Sequence, residues 1–203
     1  YMNGTGVEQN YAKTFQYYMK AAEKGSLEGL NNLGSLYLTG LGVEKDYSKM
    51  IQCFEKAANL GYPNALSNLG NCYQDGIGVE QNYAKMIECY EKAGELGNSS
   101  AYIILADCYQ NGIGVEQNYA KMIECYEKAI EHGDSSALLI LGDCYQNGIG
   151  VEQNYTKMIE CYEKAIELGD SNALIFLSDC YMKGIGVEKN FTKAFEYNKK
   201  SAE

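Results

Sequence analysis

The sequence predicts an all-α fold, a right-handed α/α superhelix (solenoid) of helix-turn-helix repeats with about eleven helices in 203 residues. Three observations support this prediction. The eighteen residues GIGVEQNYAKMIECYEKA occupy 76–93 and again 112–129, and at 148–165 only Thr156 differs. Looser copies keep the same spacing of 36 residues along the whole chain. Each copy holds two stretches with the apolar spacing of a helix, and a fixed period of this size is typical of stacked supersecondary units.

The period divides residues 1–203 into a single repeat array of about five and a half units. The units start near six glycines: Gly4, Gly40, Gly76, Gly112, Gly148 and Gly184. The residues before Gly4 match the last turn of a helix, and the chain stops where a further unit would begin. We therefore expect an array truncated at both ends, without the polar caps that terminal repeats normally carry.

The first helix of each unit, called helix A, is predicted from the stretch 65–73. Its apolar residues fall at i, i+1, i+4, i+7 and i+8, which is one stripe of an α-helix. These residues are Ala65, Leu66, Leu69, Cys72 and Tyr73. Gly76 is expected to end the helix in the left-handed conformation. Because a glycine inside a helix costs about 1 kcal/mol relative to alanine, another backbone is expected to come close to Gly70 and Gly142.

The second helix, called helix B, is predicted to begin after Asn82, whose side chain would cap the free backbone amides of the first turn. The same capping position recurs as Asp46, Asn118, Asn154 and Asn190. The apolar stripe of helix B consists of Tyr83, Met86, Ile87, Cys89, Tyr90 and Ala93. Tyr73, Tyr83 and Tyr90 are accordingly expected to face the core. Helices A and B would then form an αα-hairpin that packs through small residues.

The pattern of one unit resembles the Sel-1-like repeat, a relative of the tetratricopeptide repeat. The residues that carry the resemblance are Ala65, Leu69, Gly70, Tyr73, Gly76, Gly78, Val79, Lys85, Lys92, Ala93 and Gly97. Departures are local: Gly29 replaces the helix A alanine, Ala106 and Ser178 replace the glycine, and Ser201 replaces the helix B alanine. The resemblance implies an α-solenoid that works as an adaptor or scaffold, with helix A on the concave surface and helix B on the convex one. It implies no catalysis.

The composition argues against two classes of partner. The formal net charge is −10, and all 17 basic residues are lysine. Nucleic-acid binding needs a basic stripe and favours arginine for bidentate recognition of phosphate, so no nucleic-acid partner is expected. No apolar run approaches the roughly 18 residues of a membrane span, so no membrane insertion is expected.

The eight cysteines occupy two positions of the repeat. They are Cys53, Cys89, Cys125 and Cys161 on helix B, and Cys72, Cys108, Cys144 and Cys180 on helix A. The cysteine-rich branch of the resembled family links the end of helix B to the next helix A, but this chain has Ile130 and Leu138 there. Free buried thiols are favoured because cysteine packs as a small apolar residue, and they favour a cytoplasmic location over a secretory or envelope compartment. Bridges such as Cys89–Cys108 and, less favoured, metal ligation are the alternatives.

The candidate partner-binding surface rests on analogy with tetratricopeptide arrays, whose concave face corresponds to the positions of Asn64, Ser67 and Asn71. Along the chain these positions change from asparagine and serine to isoleucine, leucine and aspartate. The predicted partner-binding residues are Ile103, Asp107, Gln110, Leu139, Asp143, Gln146, Ile175, Phe176 and Asp179. An apolar track beside a row of aspartates suits an extended or helical segment with aliphatic and basic side chains. In the alternative interpretation, Ile104, Ile140 and Phe176 pack between neighbouring A helices.

The sequence favours a binding function over catalysis. The lone His132 is replaced by leucine in both neighbouring units, and the recurring aspartates lie a repeat apart, too far for shared-proton chemistry. No catalytic, cofactor or metal site is therefore expected. We predict a non-catalytic protein–protein interaction scaffold or adaptor that binds a peptide or protein segment. The alternatives are a structural spacer or filament, which self-associates head to tail through uncapped ends, and an accessory region of a larger enzyme.

Overall fold

The computed structural model describes residues 10–202 of the chain. In that range the chain forms eleven α-helices and no strand. The helices are α1 (Tyr11–Glu23), α2 (Leu27–Thr39), α3 (Tyr47–Asn59), α4 (Pro63–Asp75), α5 (Tyr83–Glu95), α6 (Ser99–Asn111), α7 (Tyr119–Glu131), α8 (Ser135–Asn147), α9 (Tyr155–Glu167), α10 (Asn172–Lys183) and α11 (Phe191–Ser201). Even-numbered helices are A helices and odd-numbered helices are B helices. The predicted all-α fold of helix-turn-helix repeats is confirmed, while the predicted repeat start at Gly4 lies outside the described residues.

The helices group into two compact units. Unit 1 contains α1 to α5, and unit 2 contains α6 to α11. Within each unit every helix packs against the next one along the chain, and the closest pairs are an A helix and the B helix that follows it. Each unit is therefore built from the predicted αα-hairpins. The single array over 1–203 stays a prediction.

The turn inside each hairpin has the same geometry in both units. Helix A ends at a left-handed glycine, with φ of 70° at Gly76 and 68° at Gly148. The next helix begins at Asn82 or Asn154, whose side chain accepts a hydrogen bond from a backbone amide of its first turn at 3.0 Å. The predicted caps Asp46, Asn118 and Asn190 make the same bond. Such a cap contributes about 1 kcal/mol, so the sequence encodes where each B helix starts.

The glycine inside helix A faces an aromatic ring of helix B. A Cβ atom on Gly70 would lie 2.7 Å from Cε1 of Tyr90, and one on Gly142 would lie 2.5 Å from Cε1 of Tyr162. The sequence-based expectation of a neighbouring backbone is therefore wrong. The neighbour is a buried tyrosine ring, which needs a flat, side-chain-free patch on helix A to lie close to its axis.

In two hairpins another residue replaces the glycine inside helix A. One replacement is explained by the residue of helix B at the position of Tyr90, called the ring position. Ser178 stands at the glycine position of α10, where the ring position of α11 is Asn198 and no aromatic ring is present. The Ser178 hydroxyl is buried and donates a hydrogen bond to the backbone oxygen of Ala194 at 2.8 Å. The other departure is Ala106, which corresponds to Gly142 but precedes a helix that keeps its ring, Tyr126.

A second glycine in each turn sets the contact between successive repeats. A Cβ atom on Gly150 would lie 2.9 Å from the backbone oxygen of Tyr119 at the start of the preceding B helix. In unit 1, a Cβ atom on Gly78 would lie 3.0 Å from the backbone oxygen of Tyr47. The turn of one hairpin therefore rests on the first turn of the previous B helix, and only glycine allows this distance together with a positive φ.

The three tyrosines of a repeat have different environments. Tyr90 is buried, and Tyr73 is half-buried beneath the ammonium group of Lys85, which lies 5.1 Å from the ring centre. Tyr83 was expected to face the core, but 40% of its surface is exposed. Its hydroxyl accepts a hydrogen bond from Nε2 of Gln81 at 3.1 Å. The first residue of helix B thus lies beside the turn, and the expectation of core packing at this position is wrong.

All eight cysteines lie in the described part of the chain, and all are free. Six are buried, and Cys53 and Cys89 are half-buried. Burial raises the pKa of the Cys72, Cys108 and Cys180 thiols to about 11. At neutral pH these groups are thiols rather than thiolates, and they fill the core as small apolar side chains.

Replacing Gly142 with leucine is expected to lower the free energy of unfolding by about 1–3 kcal/mol, because the new side chain would overlap the Tyr162 ring. Gly142→Ala should cost less, since Ala106 occupies the corresponding position opposite Tyr126. Urea denaturation followed by circular dichroism measures both values. Equal destabilisation by alanine and leucine would contradict the assigned contact.

Candidate partner-binding surface

All nine residues predicted to bind a partner lie in unit 2. They belong to three successive A helices: Ile103, Asp107 and Gln110 on α6, Leu139, Asp143 and Gln146 on α8, and Ile175, Phe176 and Asp179 on α10. Every one of them is at least partly accessible to solvent. Exposure rises along the chain, from half-buried Ile103 and Leu139 to Ile175, which is 54% exposed. We call this surface the A face of unit 2.

Four of the nine residues meet in one depression of about 220 Å³ between α8 and α10. Its lining consists of Asp143, Gln146, Tyr162, Phe176, Asp179, Cys180, Lys183 and Ile185. The remaining five predicted residues, Ile103, Asp107, Gln110, Leu139 and Ile175, do not line it. We call this site the A-face depression.

The aspartates of the A face accept hydrogen bonds from the core tyrosines of the B helices. The Tyr162 hydroxyl donates to Oδ1 of Asp143 at 2.7 Å, and Tyr126 makes the corresponding bond with Asp107. Burial raises the pKa of both tyrosines far above the usual range, so their hydroxyls stay protonated and act as donors. The apolar pattern of the sequence does not reveal this hydrogen bond, although the residues at the tyrosine position and the aspartate position change together. Where the ring position is Phe54, which has no hydroxyl, the residue at the aspartate position is serine.

Asp179 has a different partner because its hairpin has no tyrosine at the ring position. Its Oδ2 atom lies 2.6 Å from Nζ of Lys183, one helical turn further along α10. Both side chains are more than half exposed, so solvent screens this ion pair and it contributes little to stability. A bound cationic group could therefore compete with Lys183 for the carboxylate at little cost.

Phe176 forms the apolar part of the depression. Its ring stacks on the Tyr162 ring with 5.3 Å between the centres and 22° between the planes. The Phe176 side chain is nevertheless 38% exposed to solvent. The alternative interpretation, in which Phe176 packs between neighbouring A helices, stays a prediction, and the ring also rests on a B-helix residue, Tyr162. Ile104 and Ile140 are half-buried, as are Ile103 and Leu139 beside them, so neither member of the adjacent apolar pairs is fully buried.

The A helices of unit 1 present amides in place of carboxylates. Nδ2 of Asn68 donates to Oδ1 of Asn31 at 2.8 Å, which joins two successive A helices. Asn71 takes the position of Asp143 and accepts the Tyr90 hydroxyl at 2.6 Å. An asparagine can thus replace the aspartate in the tyrosine hydrogen bond, and among the described A helices this position carries a negative charge only in unit 2.

Two kinds of feature are absent from the described residues. Within 10–202, no three histidine, cysteine, aspartate or glutamate side chains come together in a way that could hold a metal ion. None of the helices described there is both long enough and apolar enough to cross a membrane. The A face of unit 2, with the lining of its depression, offers carboxylates, two amides, one ammonium group and aromatic rings to a ligand.

Replacing Asp107 with asparagine is expected to raise the thermal midpoint at pH 7 by a small amount, up to about 2 °C. Partial burial raises the pKa of Asp107 against the opposing effect of the Tyr126 hydrogen bond, so the charged carboxylate destabilises the folded state, and the effect is small because solvent still reaches this side chain. The gain should disappear as the pH falls through this raised pKa, because the protonated carboxyl is also neutral.

The matched control is Asp179→Asn, which removes one negative charge from the equivalent position of α10, where the carboxylate pairs with Lys183 instead of a core tyrosine, and should give no gain. Thermal denaturation of the three proteins between pH 3 and 8 would distinguish the two cases. An equal gain from both substitutions would assign the effect to net charge and contradict the role of burial.

One family of known proteins matches this chain along its whole length. The Sel1 repeat family matches the chain six times, at residues 1–26, 27–62, 63–98, 99–134, 135–170 and 171–203. A comparison with curated proteins gave no significant match.

Solved structures similar to this chain include two with substantial sequence identity. The protective antigen c5321 of uropathogenic Escherichia coli, which displays an SLR fold, is 37% identical, with a TM-score of 0.80 over 99% of this chain. This chain spans 43% of that protein. A Sel1 repeat protein from Oxalobacter formigenes is 33% identical, with a TM-score of 0.78, over 95% of this chain and 79% of that chain.

The immunity protein Pa5087 from Pseudomonas aeruginosa is 24% identical, over 96% of this chain and 74% of that chain. Its TM-score of 0.61 shows that the two proteins share a fold and nothing more. The family match extends over every hairpin, and the predicted resemblance is confirmed. Since the repeat pattern, the hairpin geometry and two structures above 30% identity agree, this chain belongs to the Sel1 repeat family.

Proposed function

We propose that this chain is a non-catalytic interaction module that binds a peptide or protein segment on the A face of unit 2. Sel1 repeat proteins generally act as protein-interaction scaffolds, and the family is generally non-catalytic. The observation that carries the proposal for this chain is the A-face depression, where Asp143 and Asp179 flank the exposed ring of Phe176. Such a surface can bind a cationic side chain and an apolar side chain next to each other.

The polar groups around the depression support binding rather than chemistry. The Tyr162 hydroxyl keeps its proton because burial raises its pKa, and it is already donated to Asp143. The Cys180 thiol has a pKa raised by burial to about 11 and is not a nucleophile at neutral pH. Neither group therefore has the lowered pKa or the adjacent base that an activated nucleophile needs.

The proposed ligand is a segment with a lysine or arginine beside an aliphatic or aromatic residue. The basic side chain would lie between Asp143 and Asp179, and the apolar one would contact Phe176. Exposed ion pairs contribute only about 0.2–1 kcal/mol each, so useful affinity requires further contacts along the same face. The exposed Ile175 and the half-buried Leu139 supply apolar area for such contacts.

Peptides selected from a random library against the wild-type chain are the probe for this proposal. We expect the enriched sequences to carry a basic residue next to an apolar one. The double variant Asp143→Asn and Asp179→Asn should bind them at least fivefold more weakly by fluorescence anisotropy, since two carboxylate contacts are lost. The fold should be kept, because Asn71 occupies the position of Asp143 in unit 1 and still accepts its tyrosine hydroxyl.

The matched control is Glu152→Gln with Glu163→Gln, which removes two exposed negative charges of unit 2 that do not line the A-face depression. These substitutions should leave the affinity of the selected peptides unchanged. If the aspartate variant binds as tightly as wild type, or if both double variants lose the same affinity, the A-face depression is not the binding site.

A second candidate function, self-association, is favoured by one observation on α11. Phe195 is 70% exposed, although the corresponding residue of the preceding B helix, Ile159, is buried. The face of α11 can therefore accept another helix, either from a further repeat or from a second copy. Light scattering over a concentration series tests association with a second copy. An average mass that increases with concentration in wild type but not in the Phe195→Ser variant would support self-association. A constant monomer mass would exclude it.

A further inference from the structure

A larger cavity lies on the other side of the hairpins of unit 2, between the B helices α7 and α9. It has a volume of about 430 Å³, and α8 forms its floor. The lining consists of Glu127, Ile130, Glu131, Leu138, Leu141, Tyr145, Lys157, Glu160, Cys161 and Lys164. None of these residues lines the A-face depression. We call this cavity the α7–α9 cleft.

The floor of the cleft is apolar. Leu138 and Leu141 of α8 are largely buried, and half-buried Ile130 and Tyr145 extend the apolar surface towards the rims. The volume falls within the range of about 300–1,000 Å³ that ligand pockets occupy. The cleft can therefore accept several aliphatic side chains of a partner.

The two rims carry several charges that form no ion pair among the described residues, although the ammonium group of Lys157 lies 5.1 Å from the ring centre of Tyr145. Exposed Glu127 and Glu131 line the α7 rim, and exposed Lys157 and Lys164 lie on the α9 rim with Glu160 between them. Within the described part of the chain, Glu127, Glu131 and Lys164 make no ion pair. One repeat earlier, the residues at the positions of Glu160 and Lys164 do form an ion pair. Nζ of Lys128 lies 2.9 Å from Oε1 of Glu124. The rims of the cleft thus keep their charges available to a partner.

Unit 1 contains the same cleft between α3 and α5, with a volume of about 320 Å³. Four of its lining residues are identical to residues at the same positions that line the cleft of unit 2: Glu55, Leu66, Leu69 and Lys92. Ala58 and Asn59 replace Ile130 and Glu131, which reduces the apolar area and the charge of the α3 rim. The geometry is therefore a property of the repeat, and unit 2 holds its more strongly charged version.

We propose that the α7–α9 cleft binds an amphipathic helix of a partner protein. Aliphatic residues of that helix contact Leu138 and Leu141, basic residues on one flank face Glu127 and Glu131, and acidic residues on the other flank face the lysines of α9. This proposal concerns a surface separate from the A face and does not depend on the function proposed for that face.

A helix is the form of partner that this cleft suits. Its walls and floor are α-helices, whose backbone amides and carbonyls bond within their own helix, so an extended strand would find no main-chain partners there. Recognition must come from side chains, as when an amphipathic helix lies in an apolar groove. The net charge of −10 further favours a partner with net positive charge.

The probe is a synthetic helical peptide with leucine at every third or fourth position, lysine on one flank of the leucine stripe and glutamate on the other. Titration into the full 203-residue chain, followed by methyl NMR, should shift the Ile130, Leu138 and Leu141 signals and leave Ile175 unchanged. A peptide with glutamate on both flanks should bind roughly tenfold more weakly, because one of its flanks must face Glu127 and Glu131. A peptide with serine in place of leucine should not bind.

Charge reversal on the protein gives the decisive result. In the double variant Glu127→Lys and Glu131→Lys both rims become basic, and the preference should invert, so that the all-glutamate peptide binds more tightly than the mixed one. Both glutamates are exposed, and circular dichroism would verify that the helical fold is kept. Shifts confined to the A face, no shifts at all, or an unchanged preference in the variant would overturn the proposal.

Discussion

The close contact between an aromatic ring of helix B and a small residue of helix A is the constraint on which the rest of this structure depends. Gly34, Gly70 and Gly142 each leave room for a ring that a Cβ atom would approach within 3 Å. The turn that joins these helices carries a second glycine, which rests on the preceding B helix. Glycines therefore allow the close contacts both within a hairpin and between successive hairpins.

The same tyrosine connects the core to the surface. Its ring fills the space left by glycine, while its hydroxyl reaches the A face and donates to a carboxylate or an amide. The acceptor can be aspartate or asparagine without loss of the bond, so the charge of the A face is able to change between repeats at constant fold. At this position unit 1 has Ser35 and Asn71, whereas unit 2 has carboxylates that remain exposed. Chemical specificity can therefore vary along the chain while the core stays the same.

The two surfaces of unit 2 differ in the way they could recognise a partner. The A-face depression combines carboxylates with an exposed aromatic ring, and the α7–α9 cleft combines an aliphatic floor with rims of opposite charge.

The near-identical repeats also supply natural controls. A residue that a test would introduce into one hairpin often already stands at the same position of another hairpin. Asn71 corresponds to Asp143, Ala58 to Ile130 and Ala106 to Gly142. These natural alternatives separate a residue's role in folding from its role in binding.

The sequence by itself determined the helices, their caps and their turns, because apolar periodicity, capping side chains and left-handed glycines act within a few residues along the chain. It also placed the candidate residues correctly on the A helices. Tertiary structure alone decided that a ring rather than a backbone faces Gly142, that Tyr83 is exposed, and that Asp143 accepts a core hydroxyl. It also decided which predicted residues share a depression and that a cleft opens between α7 and α9. These features depend on the distance and rotation between helices that are far apart in sequence, and a local pattern contains neither quantity.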